Sequence, residues 1–182
     1  MTRGPVGAFD MVDRLRALIR DVPDFPQPGI VFKDITPLLA DQDGFSSVID
    51  LIVVHYGRGH VDKVVGIEAR GFILASPVAY HFGAGFVPVR KEGKLPWDTE
   101  RQEYSLEYGT SVLEIHRDSI QPGERVLIVD DVLATGGTAK ATAGLVERLG
   151  GKVVGIACLL ELGFLKGREQ LGGYDFFSLV AY

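Results

Sequence analysis

A chain of 182 residues, 46% hydrophobic and 24% charged, has the size of one domain and enough apolar content for a substantial core. Its net charge of -5 excludes the general excess of lysine and arginine that nucleic-acid backbone binding requires, so any anion site must gather its cations locally. The longest apolar runs, such as Val153–Leu160, fall well short of the roughly 18 residues of a membrane span; Met1–Phe9 has no apolar leader; and the lone Cys158, read as core filler, leaves no intrachain disulfide. A cytoplasmic protein with no membrane or nucleic-acid partner is the expectation.

Met11, Leu15, Leu18, Ile19 and Val22 recur at helical spacing and predict an amphipathic helix over 10–22 with Asp10 as N-cap. Pro23, Pro26 and Pro28 then force an extended passage, in which Phe32 reads, on residues alone, as a core aromatic. Phe45, Val48, Ile49, Ile52 and Tyr56 predict a second core helix, closed by Gly57 and Gly59, with His55 and His60 as exposed groups at its end.

Val61–Ile67 is a short strand that runs into the polar turn Glu68-Ala69-Arg70-Gly71. In open parallel sheets ligands bind outside the C-terminal strand edges, so this turn should face any other polar turn on that edge. Phe72–Phe82 predicts a helix with a kink or late start at Pro77. Phe86–Arg90 is the next strand, and Arg90, Lys91 and Lys94 at its end are either a local anion site or a solvated turn. The segment 97–101 lacks periodicity, whereas alternation on both sides of Gly109 predicts a hairpin or extended lid over 103–116, with Glu103 and Glu114 as solvated strand residues.

Val126, Leu127, Ile128 and Val129 read as a strand buried on both faces, with Asp130 and Asp131 placed where it leaves the core. Past them Thr135, Gly136, Gly137 and Thr138 lead into a helix over 139–149. Glycine lets such a turn aim its N–H groups inward at a helix start, which can hold a phosphate without a lysine. A generic nucleotide loop or a purely structural turn also fits these residues. Lys152–Leu160 is a further buried strand, Phe164–Leu171 a short helix and Phe176–Val180 a closing strand. This alternation predicts an α/β fold: a mostly parallel twisted sheet with helices on both faces and a small hood.

The strand, acid pair and Thr-Gly-Gly-Thr loop resemble the signature of the type I phosphoribosyltransferases, which bind 5-phosphoribosyl-1-pyrophosphate (PRPP). The segments Phe25–Leu38, Glu68–Arg70, Arg90–Pro96 and Tyr104–Gly109 are similar to those of the adenine-specific branch of that family. The resemblance implies a type I phosphoribosyltransferase fold in one domain over 1–182, with a hood from about 23–40 and C-terminal elements and a lid at about 95–115. It implies transfer of the phosphoribosyl group from PRPP to adenine, giving AMP and pyrophosphate, in purine salvage.

It also implies roles. Asp130 and Asp131 hold the ribose hydroxyls, and Ala134, Thr135, Gly136, Gly137 and Thr138 hold the 5-phosphate. Glu68, Ala69, Arg70, Arg90, Lys91 and Lys94 serve the pyrophosphate, with Glu68-Ala69 at a position that is often a non-proline cis peptide. The main chain of Val31 and Lys33, the ring of Phe32 and the side chain of Leu162 surround adenine; relatives often have arginine where Lys33 stands. Glu107, with Tyr108 beside it in the lid, exchanges a proton with the purine, and Arg70 joins it as a catalytic group. Mg2+ arrives on PRPP with no protein ligand of its own, and a homodimer is expected. The chemistry agrees, since ribose hydroxyls want paired acceptors while a phosphate wants donors.

Other readings stay open on the residues. Leu162 is equally a core residue, and Arg70 could be a structural partner of Glu68. The base could be hypoxanthine, guanine or xanthine, whose 6-oxo group needs a donor. The chain could also be a PRPP-sensing regulator without turnover, although it has no basic stripe for nucleic acid.

Overall fold

The computed structural model describes residues 8–105 and 110–182 and forms two compact units, Met1–Asp50 and Leu51–Tyr182. The first unit holds helix α1 (Ala8–Ala17), an antiparallel pair of strands β1 (Arg20–Pro23) and β2 (Val31–Asp34), the short helix α2 (Thr36–Ala40) and the start of helix α3 (Gln42–Tyr56). The helix expected over 10–22 therefore stops early. Val22 pairs with Phe32 across the hairpin, and cross-strand hydrogen bonding there outcompetes a helical repeat that local spacing alone would continue. At the start of α2 the Asp34 carboxylate accepts the Thr36 N–H at 2.9 Å and its hydroxyl at 2.7 Å.

In the second unit β3 (Lys63–Ile67), α4 (Gly71–Phe82), β4 (Gly85–Lys91), β5 (Thr99–Ser105), β6 (Thr110–His116), β7 (Arg125–Leu133), α5 (Gly137–Arg148), β8 (Lys152–Glu161) and β9 (Phe176–Ala181) follow in order, with two 3-10 turns, Gly163–Leu165 and Gly167–Leu171, before β9. The strands form one seven-stranded sheet in the order β5-β6-β4-β3-β7-β8-β9. β4, β3, β7, β8 and β9 run parallel to one another, while β6, antiparallel to β4, and β5, antiparallel to β6, complete one edge. The mostly parallel α/β sheet is as expected.

Side-chain alternation assigns the faces. Val65 and Ile67 belong to a buried cluster with Ala143, Leu145 and Val146 of α5, whereas a Cβ on Gly66 between them would meet Phe72 and Ala75 of α4. The two helices thus cover opposite sides. Pro77 lies inside one continuous helix that begins at Gly71, without a late start, and Gly83 closes it in the left-handed region at φ 67°. The segment expected to lack periodicity begins β5 at Thr99, and residues 164–171 form 3-10 turns instead of one helix. His55 is exposed at the end of α3 as expected, and its ring stacks on Phe177 at 3.9 Å.

The chain visits β3 and β4 on one side of the sheet and then returns to place β7 on the other side of β3. The order reverses between β3 and β7, and in such sheets the crevice outside the strand ends at that reversal is where ligands bind. Among the described residues no helix is long and apolar enough to cross a membrane.

Candidate active site

The C-terminal ends of β3 and β7 bring the two polar turns together. β7 does not end at its acids: Asp130 pairs with Cys158 of β8, and the pairing goes on past Asp131 through Val132 and Leu133, opposite Leu160 and Glu161. Asp131 is buried and Asp130 partly so. Asp130 Oδ1 accepts the Asp131 N–H at 2.9 Å. Gly71 is close behind, since a Cβ there would lie 2.7 Å from Asp130 Oδ1. Burial, and then the charge of Asp131, push the Asp130 carboxyl well above the ordinary range; burial raises Asp131 as well, against the pull of Arg70. Without a ligand the pair tends to keep a proton.

Arg70 turns toward Asp131, with Nε 2.8 Å from Oδ2, while Glu68 turns the other way. The alternative in which Arg70 is the structural partner of Glu68 gives way to this arrangement. Among the described residues Asp131 Oδ2 is buried without a well-aligned hydrogen-bond donor, the ion pair notwithstanding. A buried acceptor in that condition suits an incoming hydroxyl donor.

Glu68 organises the cations. Its carboxylate receives Arg90 Nε at 3.2 Å and the Lys91 N–H at 3.0 Å and is ion-paired with Lys94, while Arg90 Nη1 donates to the Lys94 carbonyl at 3.3 Å. Burial alone would raise the Glu68 carboxyl, but Lys94, the Lys91 N–H and Arg90 outweigh it and hold it below the ordinary value. The Glu68-Ala69 peptide is cis. This carboxylate holds the Arg90 and Lys94 cations by their charge and Lys91 by its main chain at one strand edge.

Glu114 corrects the sequence reading, because it is 1% exposed instead of solvated. On β6 it stands in register between Arg90 of β4 and Arg101 of β5. Its carboxylate lies 2.9 Å from Arg101 Nε and accepts the Gly93 N–H at 2.9 Å, pinning the far side of the 90–94 turn. Alternation alone cannot see that the turn and two arginines cover this face.

The loop after β7 is fixed from behind. Gly136 opens α5 in the left-handed region at φ 87°, and a Cβ there would overlap the Gly167 carbonyl; a Cβ on Gly167 would in turn overlap the Ala134 carbonyl. Gly167 is thus a backing residue of the loop that sequence reasoning missed, with no signal beyond a glycine in a short turn. Ala134, Thr135, Gly136 and Thr138 line a cavity of about 250 Å3 together with Asp130, Glu68 and Lys91. Gly137, at the first turn of α5, lines a neighbouring cavity with Thr135. The loop before α5, Asp130 and the Glu68–Lys91 edge therefore share one crevice.

Leu162, half-buried, follows β8 and donates its N–H to the Leu133 carbonyl at 2.9 Å, one residue from the loop. Val31, Phe32 and Lys33 lie on β2 in the first unit, where Phe32 meets Phe25 edge to face at 5.2 Å and Lys33 pairs with Asp21 at 2.6 Å. Glu107 and Tyr108 lie outside the described residues. Among the described residues no cluster of three acidic, histidine or cysteine side chains could hold a metal.

The comparisons with known proteins agree with this geometry. The family model of the phosphoribosyl transferase domain matches residues 36–174. An adenine phosphoribosyltransferase of Acidothermus cellulolyticus is 59% identical over 162 residues, 89% of this chain and 92% of its own. The chain belongs to the adenine phosphoribosyltransferase family. Among solved adenine phosphoribosyltransferases, that of Rhodothermus marinus superposes with a TM-score of 0.91 at 51% identity over 94% of this chain and 98% of its own. That of Saccharomyces cerevisiae, solved with an imino-altritol bisphosphate and adenine, gives 0.90 at 38% identity over 94% and 99%.

Proposed function

We propose that this chain transfers the 5-phosphoribosyl group of PRPP to adenine, giving AMP and pyrophosphate, as a purine-salvage enzyme. The observation that supports the reading is a succession of loop, acids and cations: Ala134, Thr135, Gly136 and Thr138 line one cavity with Asp130, Glu68 and Lys91, Asp131 is ion-paired with Arg70, and Glu68 is ion-paired with Arg90 and Lys94. PRPP has the same order along its length, from 5-phosphate through hydroxyls to diphosphate. The loop N–H groups and the start of α5 hold the phosphate, and the two acids take the ribose hydroxyls.

An imidazole nitrogen of adenine bonds to the anomeric carbon while the carbon–oxygen bond to pyrophosphate breaks, its electron pair leaving on that oxygen. The acids place negative charge near the sugar as positive charge develops on it, and the cations do the converse for the leaving group. Glu68 and the Ala69 main chain serve by fixing those cations and the turn before Arg70. Glu107 takes or returns the purine proton, with Tyr108 beside it, and the main chain of Val31 and Lys33, the Phe32 ring and Leu162 receive the base. Mg2+, carried by the diphosphate, supplies further neutralisation of the leaving oxygens. The diphosphate would hold it without a protein ligand, and its charge would favour ionisation of Asp130 and Asp131, whose charged forms burial disfavours.

We also place the enzyme in the cytoplasm, as a homodimer. Ile73 and Tyr80 on one side of α4 are 42% and 84% exposed and offer apolar surface for a second copy to cover. The test of the reaction is AMP formation from adenine, PRPP and Mg2+, run beside hypoxanthine, guanine and xanthine. Adenine should be consumed with stoichiometric pyrophosphate and the other three left. Turnover of a 6-oxopurine in preference to adenine, or no pyrophosphate at all, would refute the assignment.

A further inference from the structure

The turn behind the phosphate loop has an anchor of its own. Gly167 is buried, and a Cβ there would overlap the Ala134 carbonyl and lie 2.9 Å from the Gly136 nitrogen, so its main chain sets the shape of the first half of the loop. Gln170 of the same turn accepts a hydrogen bond from Lys140 Nζ, in the first turn of α5, at 3.4 Å. A five-residue 3-10 turn holds itself poorly. Lys166 just before it sits at φ 55°, a left-handed conformation that a residue with a Cβ keeps only where its surroundings fix it.

Leu171, 2% exposed, anchors the far end of the turn in the buried cluster that includes α5. Arg168 anchors the near end to β8, where Nε and Nη2 donate to the two oxygens of Glu161 at 3.0 and 2.6 Å. That carboxylate is itself seated, accepting the Ser178 hydroxyl of β9 at 2.8 Å, and the guanidinium lies 4.5 Å from the centroid of the Phe176 ring. The hydrogen bonds from Arg168 hold the Glu161 carboxyl below the ordinary range, so the pair is charged at neutral pH. The end of β8 does not depend on this pair. The Tyr182 N–H donates to the Glu161 carbonyl at 2.9 Å, and Leu162 is tied to the Leu133 carbonyl by its own N–H. What the side-chain pair holds is the turn.

We propose that Arg168 is a positioning residue for the 5-phosphate of PRPP: gripping Glu161, it keeps the Gly167 main chain against Ala134 and Gly136 and so keeps the loop N–H groups aimed at one phosphate position. This rests on the phosphoribosyl transfer proposed above. Donors held in place bind an anion without rearranging, and a displacement on the order of 1 Å in such a site can cost roughly 100-fold. The cations for the other end of the substrate hang on Glu68 and Glu114, not on this turn, so loss of the fork should be felt at the 5-phosphate alone.

The experiment measures dissociation constants by calorimetry for ribose 5-phosphate and for pyrophosphate with Mg2+, together with initial rates of AMP formation. Arg168→Met keeps an apolar stem over Phe176 and removes the fork. It should weaken ribose 5-phosphate and raise KM for PRPP by about tenfold, with pyrophosphate binding and KM for adenine within about twofold. Gly167→Ala, which displaces the loop directly, should give the same split with a loss of about tenfold or more. If the methionine variant fails to fold, Arg168→Lys, which keeps the charge but not the two-pronged grip, is read in its place, with a rise of about threefold or more expected. Ribose 5-phosphate binding within about twofold of the unsubstituted chain in any of these folded variants, or an equal weakening of pyrophosphate, overturns the proposal. If the unsubstituted chain makes AMP and the split does not appear, only the role of Arg168 falls; if it makes no AMP, the transfer reading falls and takes the clamp with it.

Discussion

Replacing Asp131 by asparagine tests the ribose site with the least change of shape. The side chain keeps its size but loses its charge and one acceptor oxygen, and Oδ2, buried at 2.8 Å from Arg70 Nε, is the oxygen for which an incoming hydroxyl is the natural donor. A hydrogen bond to a charged group is worth about 1.5–3 kcal/mol net, which converts to roughly 10- to 150-fold in kcat/KM. Arg70 loses its carboxylate partner at the same time, so the upper half of that range is expected. Initial rates of AMP formation against PRPP at saturating adenine should show kcat/KM for PRPP falling by that factor, while KM for adenine stays within about threefold. A value for PRPP within about twofold of the unsubstituted enzyme would refute the assignment of Asp131 to the ribose.

Asp130 gives a pH signature. Its folded pKa lies above the unfolded one, so the folded state binds more protons between the two values and loses stability as pH rises through the raised pKa. Asp130→Asn removes that loss: thermal melts should show its Tm exceeding that of the unsubstituted chain, by a margin that grows with pH, while PRPP use declines; a margin that shrinks as pH rises contradicts the buried-acid reading. Glu114→Ala leaves the Gly93 N–H and Arg101 without their carboxylate, and because Arg101 is well exposed the cost is about 1–3 kcal/mol, or roughly 2–12 °C in Tm for a chain of this size, with KM for PRPP rising as the 90–94 turn loosens. An unchanged melt would show that the buried carboxylate contributes nothing. Glu107→Gln should lower kcat by roughly 100-fold or more with little change in either KM, as loss of a general acid–base group does; equal losses in KM would place it in binding instead.

The site was legible where its residues are contiguous. The run from Val126 to Thr138 shows a buried strand, two acids and a glycine turn before a helix, an order that the residues alone leave open to a generic nucleotide loop and that the resemblance ties to PRPP. Arg70 and the 90–94 cations were legible as charge gathered at strand ends, although what each one touches was not. Glu114 was misread for a physical reason: alternation along β6 reports which residues share a face, not what lies on it, and here the cover comes from β4, β5 and the turn between. The end of α1 was misread in the same way, since Val22 meets helical spacing but is claimed by Phe32 ten residues later. Gly167 lies further still, a glycine whose reason is the Ala134 carbonyl thirty-odd positions earlier in the chain. Local pattern fixes elements; the partners that decide their ends and their exposure come from distant sequence.

The arrangement of the substrate is tested most directly by a crystal structure of the protein with Mg2+ and PRPP in the absence of base. The 5-phosphate should occupy the Ala134–Thr138 loop, the ribose hydroxyls should meet Asp130 and Asp131, and the diphosphate should extend toward Arg70 and the 90–94 turn. A PRPP molecule bound with its phosphate outside that loop, or with its diphosphate directed away from Arg70, would contradict it.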